Sequence, residues 1–355
     1  MNKKKNILIV GTGTIGEPLI GLLSDLRKKL NLGNVYFNKR TPLLDEVAKV
    51  ESLIKRGAKL VTSEIRKPKF EKMGHKVSCV YEDALEKSDV VIDCTPAGNE
   101  NKELYYSKYE GIDKTFIAQG SAKGFGLPYA YGINGAALER ENPQFIQVVS
   151  CNTHNIACLL KTVSQNLKDI KEASFVCIRR ANDISQNGSF IASPQVGAHS
   201  DNVFGTHHAR DAYDLLATLY EHVNIRSSAM KLNTQYMHTI CFDIALKKYA
   251  KRNDIINHFK DDKFVATTHK TLANKVFSFG RDHGYYGRIY NQTVVSLPTV
   301  DVFRDSGATR VKGFCFTPQD GNSLLSSIAA AMHGIHKEEA PEYLKLFDSY
   351  LYDEI

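Results

Sequence analysis

The chain changes its hydrophobic rhythm repeatedly in the first 150 residues. A short apolar run, Ile7–Val10, has the form of a buried strand. Leu19, Ile20, Leu22, Leu23 and Leu26 then follow the spacing of a helix face. Apolar stretches recur at 35–37, 76–81, 89–93, 115–118 and 145–149, and the segments at about 43–57 and 82–87 read as helices. Basic residues link the first of these helices to the strand at 76–81. Strands alternating with helices predict a parallel α/β sheet.

After about residue 152 the pattern differs. A helix at 156–166 and a strand at 173–180 lead into a long polar stretch containing Gly188, Pro194 and Gly197, which predicts a loop. Strands at 222–232, 290–297 and 313–316 follow, with an apolar helix expected after His238 and a last helix from 324 onward. This half predicts an α+β domain with a largely antiparallel sheet. The expected division is 1–150 and 151–319, with the C-terminal helical segment 320–355 packing back on the first domain.

The first strand runs into Gly11-Thr12-Gly13-Thr14-Ile15-Gly16, a GxGxxG turn that opens a helix. Strand, glycine turn and helix together are the setting for a dinucleotide pyrophosphate, which meets backbone N–H groups at the helix N-terminus. The N-terminal domain is therefore expected to be a doubly wound Rossmann sheet. After the second strand stands Asn38-Lys39-Arg40-Thr41, with no acidic residue where NAD-specific folds hold the ribose 2′-hydroxyl. Lys39 and Arg40 can hold a 2′-phosphate, so the expected cofactor is NADP or NAD. Ligands bind at the C-terminal ends of such strands, where Gly11, Thr95, Gly120 and Cys151 are expected.

Cys151 lies in Val148-Val149-Ser150-Cys151-Asn152-Thr153-His154-Asn155, just after the nucleotide fold. A thiolate there, with its pKa lowered by a helix N-terminus, can attack a carbonyl. The alternative is an inert core cysteine. His238 is the candidate base, or else a structural histidine. Arg179 and Arg180 suit phosphate, or else are strand-end surface charges. The His207–His208 pair, without clustered Cys, Asp or Glu, gives poor support for a metal.

Composition narrows the classes. The net charge of +7 is spread along 355 residues, with no basic stripe for nucleic acid. No apolar run approaches a membrane span, and the run after Met1-Asn2-Lys3-Lys4-Lys5 is too short for a signal peptide. Seven scattered cysteines without a CxxC pair suit reduced thiols and a cytoplasmic address.

In sum these motifs resemble the type II, archaeal-type phosphorylating glyceraldehyde-3-phosphate dehydrogenases. The resemblance rests on Gly11–Gly16, Lys39-Arg40-Thr41-Pro42, Asp93–Gly98, Val148–Thr153, Arg179-Arg180-Ala181, His207–Asp211, Tyr236-Met237-His238, Gly280–Gly284 and Asn322, in family order. It implies that Cys151 attacks an aldehyde, that His238 takes the proton, and that inorganic phosphate releases an acyl phosphate. It further implies that Asn152 helps at the oxyanion, that Asn152, Thr153, Arg179, Arg180 and the His207–His208 loop meet substrate and phosphate, that Asn322 orients the nicotinamide amide, and that the enzyme is a homotetramer.

Three departures stand out. His154 replaces a small hydroxyl residue beside the nucleophile, where it either alters phosphate binding or supplies a positive charge. The segments 119–123 and 316–319 also leave the family pattern. A cysteine-dependent semialdehyde dehydrogenase and an inactive nucleotide-binding homologue are the competing readings.

Overall fold

The computed structural model describes residues 4–355 except 121, 183–187, 189 and 319, so Ser121, Gln319 and part of the polar loop lie outside the described residues. The chain forms two compact units, and the fold is α/β. Unit 1 comprises 1–127, 141–148 and 324–346; unit 2 comprises 128–140, 149–323 and 347–355. Among the described residues, no helix is long and apolar enough to cross a membrane.

The first sheet contains β1 (Ile7–Val10), β2 (Val35–Asn38), β3 (Lys59–Thr62), β4 (Cys79–Val80), β5 (Val90–Asp93), β6 (Thr115–Gln119), β7 (Leu127–Tyr129) and β8 (Phe145–Val148). Its order is β4-β3-β2-β1-β5-β6-β8-β7, and every pairing from β4 through β8 is parallel. Strands β1 and β5 are buried along their whole length, apolar throughout in β1 and up to the terminal Asp93 in β5, because helices cover both faces of a parallel sheet. The chain departs in opposite directions from β1 and β5, so the crevice at their C-terminal ends is the topological switch point. Gly11 and Thr95 stand there.

Two details of unit 1 differ from expectation. The basic linking stretch contains a strand, β3, because Leu60, Val61 and Thr62 after Lys59 are buried against the neighbouring strands. The strand expected at 76–81 shrinks to Cys79–Val80, and the helix after it begins at Tyr81.

The second sheet contains β9 (Ile170–Arg179), β10 (Gln195–Val196), β11 (Ile225–Lys231), β12 (His238–Leu246), β13 (Val265–Thr268), β14 (Thr293–Ser296), β15 (Asp301–Asp305) and β16 (Ala308–Thr317). The order is β10-β11-β9-β12-β16-β14-β13, with β15 paired to β16. The sheet is mixed: β9–β11 and β13–β14 are parallel and the other pairs antiparallel. Phe175, Ile240, Phe242, Ile244 and Val311 form a core with Ile156, Leu159, Leu160 and Val163 of the helix Cys151–Ser164. Each such large side chain contributes about 2–3 kcal/mol on burial.

The segment after His238 is a strand rather than a helix. In His238-Thr-Ile-Cys-Phe-Asp-Ile the buried residues are Ile240, Phe242 and Ile244, a period of two with β-branched members. The His207–His208 segment is likewise not a loop: it opens the helix His207–Ala217. Ala209 and Arg210 are both good helix formers, so the helix can start at the histidines.

Candidate active site

In unit 1 the glycine turn is built by steric necessity. Gly11 has φ +96°, and a Cβ on Gly16 would stand 2.2 Å from the Gly11 carbonyl oxygen. Gly13 has nothing within 4 Å of its would-be Cβ, which leaves the backbone open to a ligand at the N-terminus of the helix Gly16–Asp25. Thr12, Thr14 and Ile15 complete the turn. Opposite it, the buried Asp93 carboxylate anchors the Thr95 turn. It accepts hydrogen bonds from Thr95 N (2.8 Å), Thr95 Oγ1 (2.6 Å), Asn101 Nδ2 (2.7 Å) and Tyr106 Oη (2.7 Å).

A cavity of about 560 Å³ joins Gly11, Thr12, Lys39, Arg40 and Thr95 with Ser63, Arg66, Tyr81 and Asn101. These residues fit a dinucleotide. Gly120, at φ +64° after β6, is bound to Val148 O and does not line this cavity. The segment after β2 holds no carboxylate of its own, but the fold brings one to Lys39 from farther along the chain. Glu46 forms an ion pair with the buried Lys39 and a second, at 2.7 Å, with Lys49. Burial alone would raise the Glu46 pKa, but the hydrogen bonds from Lys39 and Lys49 outweigh it and hold the carboxyl below its ordinary range. Glu46 comes from the next helical segment, outside the motif window, so the motif gives no signal of it. Arg66, whose Nη1 donates to Ser63 Oγ at 3.2 Å, supplies a second missed polar group.

In unit 2, Cys151 is the first residue of the helix Cys151–Ser164, five residues earlier than the pattern predicts. Ser150 caps it: Thr153 N donates to Ser150 Oγ at 3.4 Å, and the two hydroxyls are 2.9 Å apart. The apolar face that signals a helix starts only at Ile156; the cap supplies the rest. None of the seven cysteines is in a disulfide.

Asn152, the next residue, is buried and its Oδ1 lies 3.0 Å from His238 Nδ1. The sheet register brings other groups to the same end. His238 pairs with Thr317 across β12 and β16, and it stands one residue beyond the Thr239–Ile178 pair, at the level where β9 ends in Arg179. Burial, then Arg180, Arg179 and His208, push the His238 pKa well below its ordinary value, so the ring is neutral. His208 is lowered to about 3 by burial, His207 and Arg179. His207 is also lowered, by burial first and by Arg179, against Asp211. The two histidine rings lie 4.0 Å apart. Arg180 is buried and forms an ion pair with Asp320 at 3.9 Å.

Two residues sit differently from what their sequence context suggests. His154 is wholly buried in the core side of the helix. Its Nδ1 lies 2.9 Å from Ser150 O, and burial lowers its pKa to about 4. It therefore supplies no positive charge near Cys151 at neutral pH. Asn322 is also wholly buried, and its Nδ2 donates to Cys151 O (3.1 Å) and Gln292 O (3.3 Å).

The sites of unit 2 thus hold a helix-capped thiol, a neutral imidazole and a cluster of arginine and histidine, which together suit covalent attack on an acyl centre and binding of anions. No protein-family model matches the chain. It is similar to curated archaeal proteins. One, from Pyrobaculum calidifontis, is 28% identical over 337 residues, 93% of this chain and 87% of that one. Another, from Sulfurisphaera tokodaii, is 25% identical over 349 residues, 95% and 88% of the two chains. A third, from Pyrococcus furiosus, is 30% identical over 243 residues, 64% and 66%. All three relatives are named glyceraldehyde-3-phosphate dehydrogenase.

Proposed function

We propose that the protein is an oxidoreductase of the glyceraldehyde-3-phosphate dehydrogenase family. Its reaction is the NAD(P)-dependent, phosphate-requiring oxidation of glyceraldehyde 3-phosphate to the acyl phosphate. The observation that carries this reading is the placement of Cys151 at the first position of a capped helix, with His238 held on its neighbour Asn152.

The Cys151 thiolate adds to the aldehyde carbon, forming a C–S bond and a thiohemiacetal. The helix N-terminus favours the thiolate, and the backbone N–H groups of the first turn face the developing oxyanion. His238, neutral because its pKa is depressed, takes the hydroxyl proton on Nε2. When bound, the nicotinamide supplies the acceptor for the hydride lost from that carbon, a two-electron oxidation that leaves a thioester on Cys151. An oxygen of inorganic phosphate then attacks the thioester carbonyl, the C–S bond breaks, and the thiolate returns. Arg179, His207 and His208 hold the phosphate groups, with Arg180 fixed beside them by Asp320, while Thr153 is wholly buried with its hydroxyl on Ser150 and acts in the helix cap. Asn322 and Asn152 act inside the protein, the first on the Cys151 carbonyl and the second on His238.

The glycine turn and Thr95 would hold the dinucleotide. Because Glu46 neutralises Lys39, Arg40 and Arg66 are the groups that would read a 2′-phosphate. The deciding assay is NAD(P)H formation from glyceraldehyde 3-phosphate, with and without phosphate or arsenate, in wild type and Cys151→Ser. Phosphate-dependent activity lost in the variant supports the reading. Activity that survives Cys151→Ser ends it.

A further inference from the structure

Behind His238 lies a line of buried polar groups that the proposed reaction does not use directly. Cys315 Sγ donates to Asn155 Oδ1 at 3.3 Å. Asn155 Nδ2 donates to Thr317 Oγ1 at 2.9 Å. Thr317 Oγ1 donates to Asn152 Oδ1 at 3.1 Å, and His238 Nδ1 lies 3.0 Å from that same oxygen. Cys315, Asn155, Thr317 and Asn152 are at most 3% exposed, so water does not compete for these bonds.

The line has a direction. An amide nitrogen only donates and an amide oxygen only accepts, while a hydroxyl has a single proton to give. With Asn155 presenting Nδ2, Thr317 must accept there and give its one proton to Asn152. Asn152 must therefore present Oδ1, which can only accept. The imidazole nitrogen facing it must then carry the proton. That leaves the lone pair of the ring on Nε2.

We infer that Asn155 and Thr317 are positioning residues that fix His238 as the Nδ1–H tautomer, with Nε2 ready to take a proton. The inference rests on the reading of His238 as the base, and it extends that role to two residues that never touch substrate. Thr317 is suited to the task by fold as well as chemistry. It is the last residue of β16 and the register partner of His238, so the sheet itself holds the hydroxyl at the histidine's level. The two asparagines are three apart on one helix, and Asn152 and Asn155 therefore share a face directed to that strand end.

The test compares wild type, Thr317→Val and Thr317→Ser as full-length proteins. Valine keeps the volume and removes the hydroxyl; serine restores it. The ring nitrogens of His238 are observed by ¹⁵N NMR at neutral pH, with His238→Asn used to assign the signals. The wild-type ring is expected to show a protonated Nδ1 and a bare Nε2. Thr317→Val is expected to show mixed tautomers and to lower kcat on the order of 10- to 100-fold, with the KM values for aldehyde and cofactor little changed. Thr317→Ser is expected to return both signals to wild type. A wild-type ring protonated on Nε2 overturns the inference. So does a Thr317→Val protein that folds with the wild-type tautomer and kcat. If Thr317→Val does not fold, the wild-type and serine spectra still decide the tautomer. A protein that lacks dehydrogenase activity, yet shows the Nδ1–H tautomer lost in Thr317→Val, removes the proposed function and leaves the relay standing.

Discussion

Glu46 forms an ion pair with Lys39 at the edge of the unit 1 cavity, so the first basic residue after β2 does not face the cavity as an unopposed charge. The pair is buried on the lysine side, and Lys49 shares the same carboxylate. Removing that carboxylate changes the electrostatics of the pocket while leaving its walls in place.

Glu46→Gln is therefore expected to lower the KM for NADP by about 3- to 10-fold and to leave the KM for NAD nearly unchanged, since only NADP carries the 2′-phosphate. Arg40→Ala and Arg66→Ala are expected to act in the opposite direction. Steady-state kinetics with both cofactors check this. Unaltered NADP selectivity in all three variants would show that the pocket does not read a 2′-phosphate.

Replacing His238 with asparagine removes the proton acceptor and keeps a polar side chain. The kcat is expected to fall by about 10²- to 10⁴-fold, while cofactor affinity measured by fluorescence titration stays within twofold. A normal kcat would take the base role away from His238.

Arg179 ends β9 beside His207, His208 and His238, whose depressed pKa values it helps to set. Arg179→Gln is expected to raise the KM for phosphate at least about 10-fold. Arg179→Lys should recover only part of that loss, because an ammonium lacks the planar fork that grips two phosphate oxygens. Full recovery by lysine would mean that charge alone matters at this position.

His154 gives a prediction for stability. Its folded pKa is lowered to about 4, against an ordinary value of 6.5. Between these two values the unfolded chain binds the proton and the folded chain does not. The stabilisation is therefore complete above about pH 6.5 and is lost as pH falls toward 4, amounting to about 3 kcal/mol over that window. Thermal unfolding from pH 7.5 to 4.5 should show Tm falling with pH. His154→Gln, which cannot take up the proton, should show a shallower fall. Parallel pH curves for the two proteins would exclude His154 as a source of the acid sensitivity.

Much of this architecture is legible from local pattern. The glycine turn announces itself because only glycine tolerates the φ of +96° at Gly11 and the 2.2 Å approach at Gly16. The apolar runs of β1 and β5 signal a sheet covered on both faces. Cys151, His238, Arg179 and the two histidines are visible as reactive residue types in order along the chain.

What the sequence alone determined was therefore the α/β class, the position of the glycine turn and the identity of the candidate reactive side chains, because each depends on neighbours within a few residues. Tertiary structure decided the rest. It set Glu46 against Lys39, replaced a helix by a strand after His238, buried His154 as a neutral group, and joined Asn155, Thr317 and Asn152 behind the imidazole. These outcomes hinge on which groups meet across 7 to 165 positions of chain and on how much water is excluded where they meet. Burial and pairing set charge state and tautomer, and neither is a property of a residue's place in the sequence.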